Sequence, residues 1–191
     1  MRTLILTALL GLTATSQLTG CIPVVAVGAG TGVLMADDRR TAGTYLMDEE
    51  IELKSVGRID DAYKDGVHVN VTSFNRRVLL TGETIDAAAR AKVEEIVKSV
   101  PNVREVQNEI VPGSISTFKA RSNDTYITAK VKARFVNDHG FGAYLVKVVT
   151  EAGTVFLMGM VKHEEGNAAA EVAAKTSGVA KVVKVFEYID Y

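Results

Sequence analysis

The chain has 191 residues, enough for one domain or two small ones. Lys and Arg number 22 and Asp and Glu number 23, so the protein has no global charge that would steer it toward nucleic acid, and no nucleic-acid partner is expected. Its single cysteine excludes a disulfide framework and a cysteine-based zinc site.

The first residues of the chain have the pattern of a secretory signal. Arg2 supplies a short positive region, and the apolar run LILTALLGL follows it. This run is too short to cross about 30 Å of hydrocarbon as a permanent helix. Residues 1–20 are therefore interpreted as a signal peptide that is absent from the mature protein.

The predicted signal ends at the only cysteine. The segment LTGC, which ends at Cys21, resembles a bacterial lipobox, in which the thiol receives a diacylglyceryl group and the new amino terminus is acylated after cleavage. Several acyl chains give stable membrane anchoring, whereas one chain binds only marginally. Because Ile22 follows instead of Asp, the resemblance favours the outer membrane. The alternative is a structural cysteine behind an ordinary cleaved signal.

Residues 21–43 are predicted to form a lipidated tether. Gly28, Gly30 and Gly32 are spaced as in a nucleotide-binding loop. A dinucleotide-binding fingerprint, however, needs a strand before it and a helix after it within a βαβ unit. A flexible segment beside a lipidated cysteine accounts better for this composition.

The remainder of the sequence contains an internal duplication. Residues 67–84 and 145–161 both read as a β-hairpin, with two apolar runs, a polar turn and a closing glycine. The helix ahead of each hairpin matches as well, since Asp48 and Ile51 correspond to Asp124 and Ile127 at an offset of 76. A repeat of this length indicates a duplicated domain, because solenoid repeats have about 20–50 residues.

Each copy is predicted to contain helix, strand, strand, helix and strand, in that order. In the first copy, helices are predicted at about 48–64 and 85–99 and the last strand at about 103–110. On the first helix, four residues are predicted to face the core: Leu53, Val56, Ile59 and Tyr63.

The second copy repeats this order, with helices at about 123–137 and 163–177 and a last strand at about 180–189. The predicted fold class is α+β: two tandem α-β-β-α-β domains, residues 44–113 and 119–191, each a three-stranded mixed sheet packed by two helices. The last strand of each sheet arrives through a crossover that contains the second helix. The sequence leaves the packing of the two domains open.

Two copies of this order are similar to tandem BON domains. The segments VLLTGE and VFLMGMV match the hairpin cores, and VPNVREVQNEI and TSGVAKVVKVFEYI match the closing segments. With a lipobox ahead of them, the chain resembles the dual-BON outer-membrane lipoproteins of the DolP/YraP type. That resemblance implies a non-catalytic, lipid-anchored protein on the periplasmic face of the outer membrane. It further implies binding of anionic phospholipid through the second domain, enrichment at division sites, and support of envelope integrity and outer-membrane protein assembly.

The charges of the two first helices differ in a way that the shared fold does not require. Residues 48–65 carry seven acidic and three basic residues, whereas residues 123–137 carry one acidic and three basic residues. In the second copy, Tyr126, Lys130 and Arg134 form a stripe beside a predicted core stripe. An aromatic ring suits a headgroup layer, and each cation gains about 1 kcal/mol near an anionic surface.

These residues and their neighbours form the predicted phospholipid-binding site: Tyr126, Lys130, Arg134, Lys132, Phe141 and Tyr144. The alternative interpretation is a set of solvated bases on an exposed helix, with a tyrosine at the rim of the core.

Enzyme chemistry is not indicated. His68, His139 and His163 fall in a predicted strand, loop and helix start, and none has a partner at ligand or catalytic spacing in the sequence. No catalytic or metal-binding residue is predicted, and no cofactor other than the covalent lipid on Cys21. The alternative function is a protein-interaction adaptor, whose acidic first helix, with Glu49 and Asp60, docks a basic partner of the envelope or of outer-membrane protein assembly.

Overall fold

The computed structural model describes residues 38–138 and 140–190. The predicted signal peptide, Cys21, nearly all of the predicted tether and His139 lie outside the described residues. The helices in the described part are α1 (Ala42–Ala62), α2 (Ala87–Lys98), α3 (Phe118–Asn137) and α4 (His163–Ala174). The strands are β1 (Val67–Phe74), β2 (Arg77–Thr84), β3 (Glu105–Asn108), β4 (Val111–Pro112), β5 (Lys147–Glu151), β6 (Thr154–Val161) and β7 (Lys181–Tyr188).

Both sheets have the predicted mixed topology. In the first, β2 pairs antiparallel with β1 and parallel with β3 and β4. In the second, β6 pairs antiparallel with β5 and parallel with β7. The predicted fold class is therefore confirmed. The last strand of the first domain, predicted as one piece, is divided into β3 and β4, and between them Ile110 turns its side chain into the core.

The helices α1 and α3 begin earlier than the sequence pattern predicts. Threonines cap both of them: Thr41 Oγ1 accepts a hydrogen bond from Thr44 N at 3.1 Å, and Thr117 Oγ1 accepts one from Ala120 N at 3.3 Å. The first turns are mostly exposed. The apolar periodicity on which the prediction depended begins only where the helices reach the core.

The buried face of α1 differs from the predicted one. Leu53 is 75% exposed and Val56 is also exposed, whereas the buried residues of the helix are Asp48, Ile51, Ser55 and Ile59. Ile59 is buried as predicted and Tyr63 packs against the core, but the prediction was wrong for Leu53 and Val56. It searched for an apolar stripe, and half of the true buried stripe is polar.

Asp48 is buried because it supports the hairpin turn of its own domain. Its carboxylate accepts hydrogen bonds from Asn75 N at 2.9 Å and Arg76 N at 2.7 Å. These two turn residues have positive φ angles of 50° and 65°, as a tight two-residue hairpin with right-handed strand twist requires. The helix and the turn therefore hold each other in place.

The two domains pack sheet against sheet. Along β2, Val78 and Leu80 face the helices of the first domain, while Leu79 points to the opposite side of the sheet. There Leu79 joins a cluster that both domains supply, with Phe74, Phe156, Met158 and Val185 as its other buried members. A strand that is buried on both faces has a continuous apolar sequence. This explains the runs VLL and VFLM in the central strands.

Polar contacts border this shared cluster. Arg77 Nη1 donates to Phe186 O at 2.9 Å, and Lys147 Nζ donates to Glu52 Oε1 at 2.9 Å. Arg39, just before α1, forms a bidentate ion pair with Glu165 of the second domain. The described chain therefore forms one compact unit in which the two repeats are joined by an apolar interface with a polar rim.

Candidate membrane-binding surface

One face of α3 is fixed in the core of the second domain. Ile127, Val131 and Phe135 are buried, as the sequence predicts. Asp124 accepts hydrogen bonds from Ala152 N at 3.0 Å and Gly153 N at 2.8 Å. These contacts determine the rotation of the helix about its axis, and thereby which residues form its outer face.

The outer face of α3 exposes large apolar side chains. Phe118 is 80% exposed, Tyr126 is 64% exposed and Val136 is 72% exposed. Phe118 and Val136 lie about five helical turns apart, on the same side of the helix. Such residues along one exposed helix face are typical of a surface that contacts another apolar phase.

Cations surround these apolar side chains. Helix α3 carries five basic residues and a single acidic one, Asp124. The carboxylate of Asp124 is buried and accepts hydrogen bonds from the hairpin turn. The basic residues are Lys119, Arg121, Lys130, Lys132 and Arg134. The exposed surface of α3 is therefore basic and apolar, without an exposed acidic side chain.

Three of the predicted site residues come together. The Nζ atom of Lys130 lies 4.7 Å from the centroid of the Tyr126 ring. Lys130 Nζ also donates to the carbonyl oxygen of Ser177, and Arg134 Nη1 donates to the carbonyl oxygen of Lys175 at 2.8 Å. Both carbonyls belong to the segment that follows the C-terminus of α4, where a cation is favourable.

The first domain shows that the position of Arg134 also has a structural role. Its counterpart Arg58, at the repeat offset of 76, donates to Ser99 Oγ at 2.9 Å, at the C-terminal cap of α2. The domains differ elsewhere on this helix, where Tyr126, Lys132 and Val136 correspond to Glu50, Val56 and Asp60. The property that distinguishes α3 from α1 therefore lies in these positions more than in Arg134.

The remaining predicted residues are divided between surface and core. Lys132 is exposed on the other flank of α3, and Tyr144 is exposed in a short 3-10 turn, Ala143–Leu145. Phe141 is only 8% exposed, and its ring packs edge-on against Phe135 with centroids 4.9 Å apart. The prediction of an interfacial Phe141 is corrected on this basis, because the ring completes the hydrophobic core.

The sequence interpretation missed Phe118, Lys119 and Val136. The first two lie in the helical turn that was placed outside the helix. Val136 lies outside the stripe beside the core, from which the site was predicted. A helical wheel that begins at the Thr117 cap shows the missed signal. On it, apolar residues recur opposite the buried stripe of Ile127, Val131 and Phe135.

The sequence profile of the BON domain matches residues 48–112 and 123–190, which cover most of the chain and both repeats. The outer membrane lipoprotein DolP of Haemophilus influenzae is 39% identical over 179 residues, which are 93% of each chain. The chain is a dual-BON lipoprotein of the DolP type. The matches are to a lipoprotein and to BON domains, and they support a place in the cell envelope for this DolP-type protein.

Another relative is similar over a shorter length. A protein of Actinobacillus pleuropneumoniae named 21 kDa hemolysin is 34% identical over 154 residues, which are 80% of the DolP-type chain and 79% of that relative. The type III secretion protein CdsD of Chlamydia trachomatis aligns with 10% identity and a TM-score of 0.30, over 70% of this chain and 91% of that structure. This last similarity is too weak to support an argument.

None of the helices within residues 38–138 and 140–190 of the DolP-type protein combines the length and the apolar character needed to cross a membrane.

Proposed function

We propose that this DolP-type lipoprotein is acylated on Cys21, faces the periplasm from the outer membrane, and binds anionic phospholipid through the outer face of α3. One observation carries the proposal: α3 exposes Phe118, Tyr126 and Val136 among five basic residues and no exposed acid. The rings and the valine enter the interfacial layer, and the cations lie at the level of the phosphates.

The expected strength of lipid binding by α3 is suited to a protein that is already anchored in the membrane. Each cation near an anionic surface contributes about 1 kcal/mol, so a handful of them provides weak, salt-sensitive binding. An acyl anchor keeps the domain at the membrane, which raises its effective concentration there and makes weak binding sufficient. Weak binding also allows the domain to respond to the local density of anionic lipid.

The path of the chain agrees with this arrangement. Arg39, which follows the predicted tether, donates to Met160 O at 2.8 Å and to both carboxylate oxygens of Glu165. The chain is thus attached to the second domain, which carries α3, before it enters α1. Enrichment at division sites and support of outer-membrane integrity belong to the same proposal, and their basis is the resemblance to DolP-type lipoproteins.

Vesicle flotation of the mature chain without acylation tests the proposal. We expect binding to vesicles that contain phosphatidylglycerol, little binding to pure phosphatidylcholine, and weaker binding as salt is raised. The double reversal K119E/K132E is preferred to changes at Lys130 and Arg134, because those two residues contact the end of α4. Equal binding to both kinds of vesicle would refute the proposed role of the cations.

A matched control distinguishes an effect of this surface from an effect of the protein's net charge. The double reversal K64E/K92E changes net charge by the same amount on exposed residues of the first domain. We expect it to retain flotation while K119E/K132E loses it.

A second candidate function, a protein-interaction adaptor, is favoured by a different surface. Helix α1 exposes Leu46, Leu53 and Val56 beside the acidic residues Glu49 and Asp60. A basic, partly apolar segment of an envelope or assembly protein would complement this face. Photo-crosslinking from position 53, compared with position 136 on α3, tests it, and the candidate fails if position 53 yields no protein adduct in cells.

A further inference from the structure

A polar cavity of about 370 Å³ lies where the two domains meet. Strand β1 of the first domain contributes His68 and Asn70 to its wall, and α3 and β5 of the second contribute Arg121, Thr128 and Glu151. Because both domains line it, a ligand bound here would contact both of them.

Three side chains that could ligate a metal lie at this cavity: His68 and Glu151 belong to its wall, and Glu83 lies beside them. His68 and Glu83 are directly opposite each other on β1 and β2, so their side chains share one face of the sheet. Glu151, the last residue of β5, approaches from the second domain. One ligand atom from each of His68, Glu83 and Glu151 lies within 4.8 Å of the other two.

The carboxylate of Glu151 is only partly satisfied. It is 9% exposed, and its Oε2 atom accepts a hydrogen bond from Asn70 Nδ2 at 2.9 Å, while its Oε1 atom accepts none from the described residues. A buried carboxylate with a free oxygen and a like charge nearby favours a cation.

No side chain in residues 38–138 and 140–190 supplies that positive charge through an ion pair. Neither Glu83 nor Glu151 is paired with a Lys or Arg there. Arg121 lines the cavity, but its Nη1 atom donates to Ser116 O at 3.0 Å. Glu83 Oε2 accepts one hydrogen bond, from Ser116 N at 3.2 Å. The imidazole of His68 and the carboxylates of Glu83 and Glu151 therefore face each other, and both carboxylates have oxygen lone pairs that accept no hydrogen bond from the described residues.

We propose that His68, Glu83 and Glu151 bind a first-row divalent cation of the Zn²⁺ class, which fastens the first domain to the second. The imidazole distinguishes this donor set from the all-oxygen sites that Mg²⁺ and Ca²⁺ prefer. Zinc bonds to imidazole nitrogen and carboxylate oxygen are about 2.0–2.2 Å long, so small side-chain rotations bring the three donors onto one ion. Water in the cavity completes the coordination.

The expected consequence is mechanical and not catalytic. His68 and Glu83 belong to the hairpin of the first domain, and Glu151 ends a strand of the second. A cation held by all three adds a bond across the interface at the side of the apolar cluster of Leu79 and Met158. Binding to the folded state alone raises its stability. Of the basic residues of α3, Arg121 alone lines the cavity, and it is not one of the three proposed ligands, so the proposal holds whether or not the outer face of α3 binds lipid.

Calorimetric titration of the mature acylated protein in detergent, after treatment with a chelator, tests the site with ZnCl₂. We expect one Zn²⁺ per chain and affinity lower by about tenfold or more in H68Q and in E151Q. MgCl₂ should give no comparable heat. A titration without saturable Zn²⁺ binding, or unchanged affinity in both variants, would overturn the proposal.

Two controls keep the test independent of folding. His163 is exposed and stacked on Tyr188 at 3.9 Å, so H163Q removes an imidazole elsewhere and should leave Zn²⁺ affinity unchanged. Thermal unfolding is the second readout: Zn²⁺ should raise the midpoint of the wild type and of H163Q but not of H68Q. If H163Q lost the binding instead, the assigned ligands would be wrong.

Discussion

Asp48 and Asp124 occupy the same place in the two domains. Each has a buried carboxylate that accepts hydrogen bonds from two backbone amides of a hairpin turn. The shared arrangement explains why these aspartates match in the repeat. In α1 and α3 alike, this contact orients the helix, so the exposed faces of the two helices are comparable surfaces. One of these faces is acidic and the other is basic, because the residues outside the contact differ.

The first prediction concerns Asp124. We expect D124A to reduce the free energy of unfolding by about 3 kcal/mol, because two amides of the turn lose charge-assisted hydrogen bonds. Urea unfolding monitored by circular dichroism measures this change. The exposed Asp61, which forms none of the described hydrogen bonds, is the control, and D61A should change stability by less than about 0.5 kcal/mol. Similar losses in the two variants would contradict the anchoring role.

The second prediction concerns the apolar part of the proposed membrane surface. The variant F118S/V136S should bind phosphatidylglycerol vesicles more weakly, since its exposed apolar side chains no longer enter the interface, while its fold should be intact because neither residue is buried. The matched variant L46S/L53S removes exposed apolar residues from α1 and should float like the wild type. If both variants lose binding to the same degree, α3 is not the specific surface.

The third prediction separates structure from lipid binding among the cations of α3. R134A should lower the free energy of unfolding by about 1 kcal/mol, because the carbonyl of Lys175 loses a hydrogen bond from a charged donor. K132A should leave stability within about 0.5 kcal/mol and still weaken vesicle binding. Chemical unfolding and flotation, measured on both variants, distinguish the two roles. A K132A variant that unfolds more easily than R134A would show that the assignment is reversed.

The fourth prediction concerns pH and the attachment of Arg39. Hydrogen bonds from Arg39 lower the pKa of the Glu165 carboxyl. The unfolded chain therefore binds this proton more readily than the folded one, so the pair stabilises the protein above the ordinary pKa of glutamate. The contribution is lost as pH falls through the lowered value in the folded state.

The variant E165Q tests this linkage. Its free energy of unfolding should fall below that of the wild type at pH 7, and the difference should shrink as the pH is lowered toward 3. Denaturant titrations at several pH values measure it. A difference between the two proteins that is independent of pH would mean that the charge of Glu165 is not the source of the stabilisation.

Much of the fold follows from local patterns. The alternation of the hairpins and the recurrence of Asp48 and Ile51 as Asp124 and Ile127 predict the order of elements, and the structure confirms the α+β class. The buried face of α1 was only partly predicted, because Asp48 and Ser55 occupy core positions and hydrophobic periodicity does not reveal buried polar residues.

The candidate surface was only partly predictable. The stripe of Tyr126, Lys130 and Arg134 follows from helical spacing, and the structure places these residues together. The spacing did not show that Arg134 contacts the end of α4, or that Phe141 is buried against Phe135. The contact of Arg134 joins segments 41 residues apart, and the burial of Phe141 depends on how the loop after α3 folds back onto the helix.

The sequence by itself determined the order of helices and strands and the opposite charges of the two first helices, since each of these depends on residues close together in the chain. It also determined the duplication, because two stretches of one chain can be compared directly. Only the tertiary structure decided that the sheets pack face to face and that Glu151 meets His68 and Glu83. Contacts between separate domains depend on how whole surfaces fit, and no local periodicity records that fit.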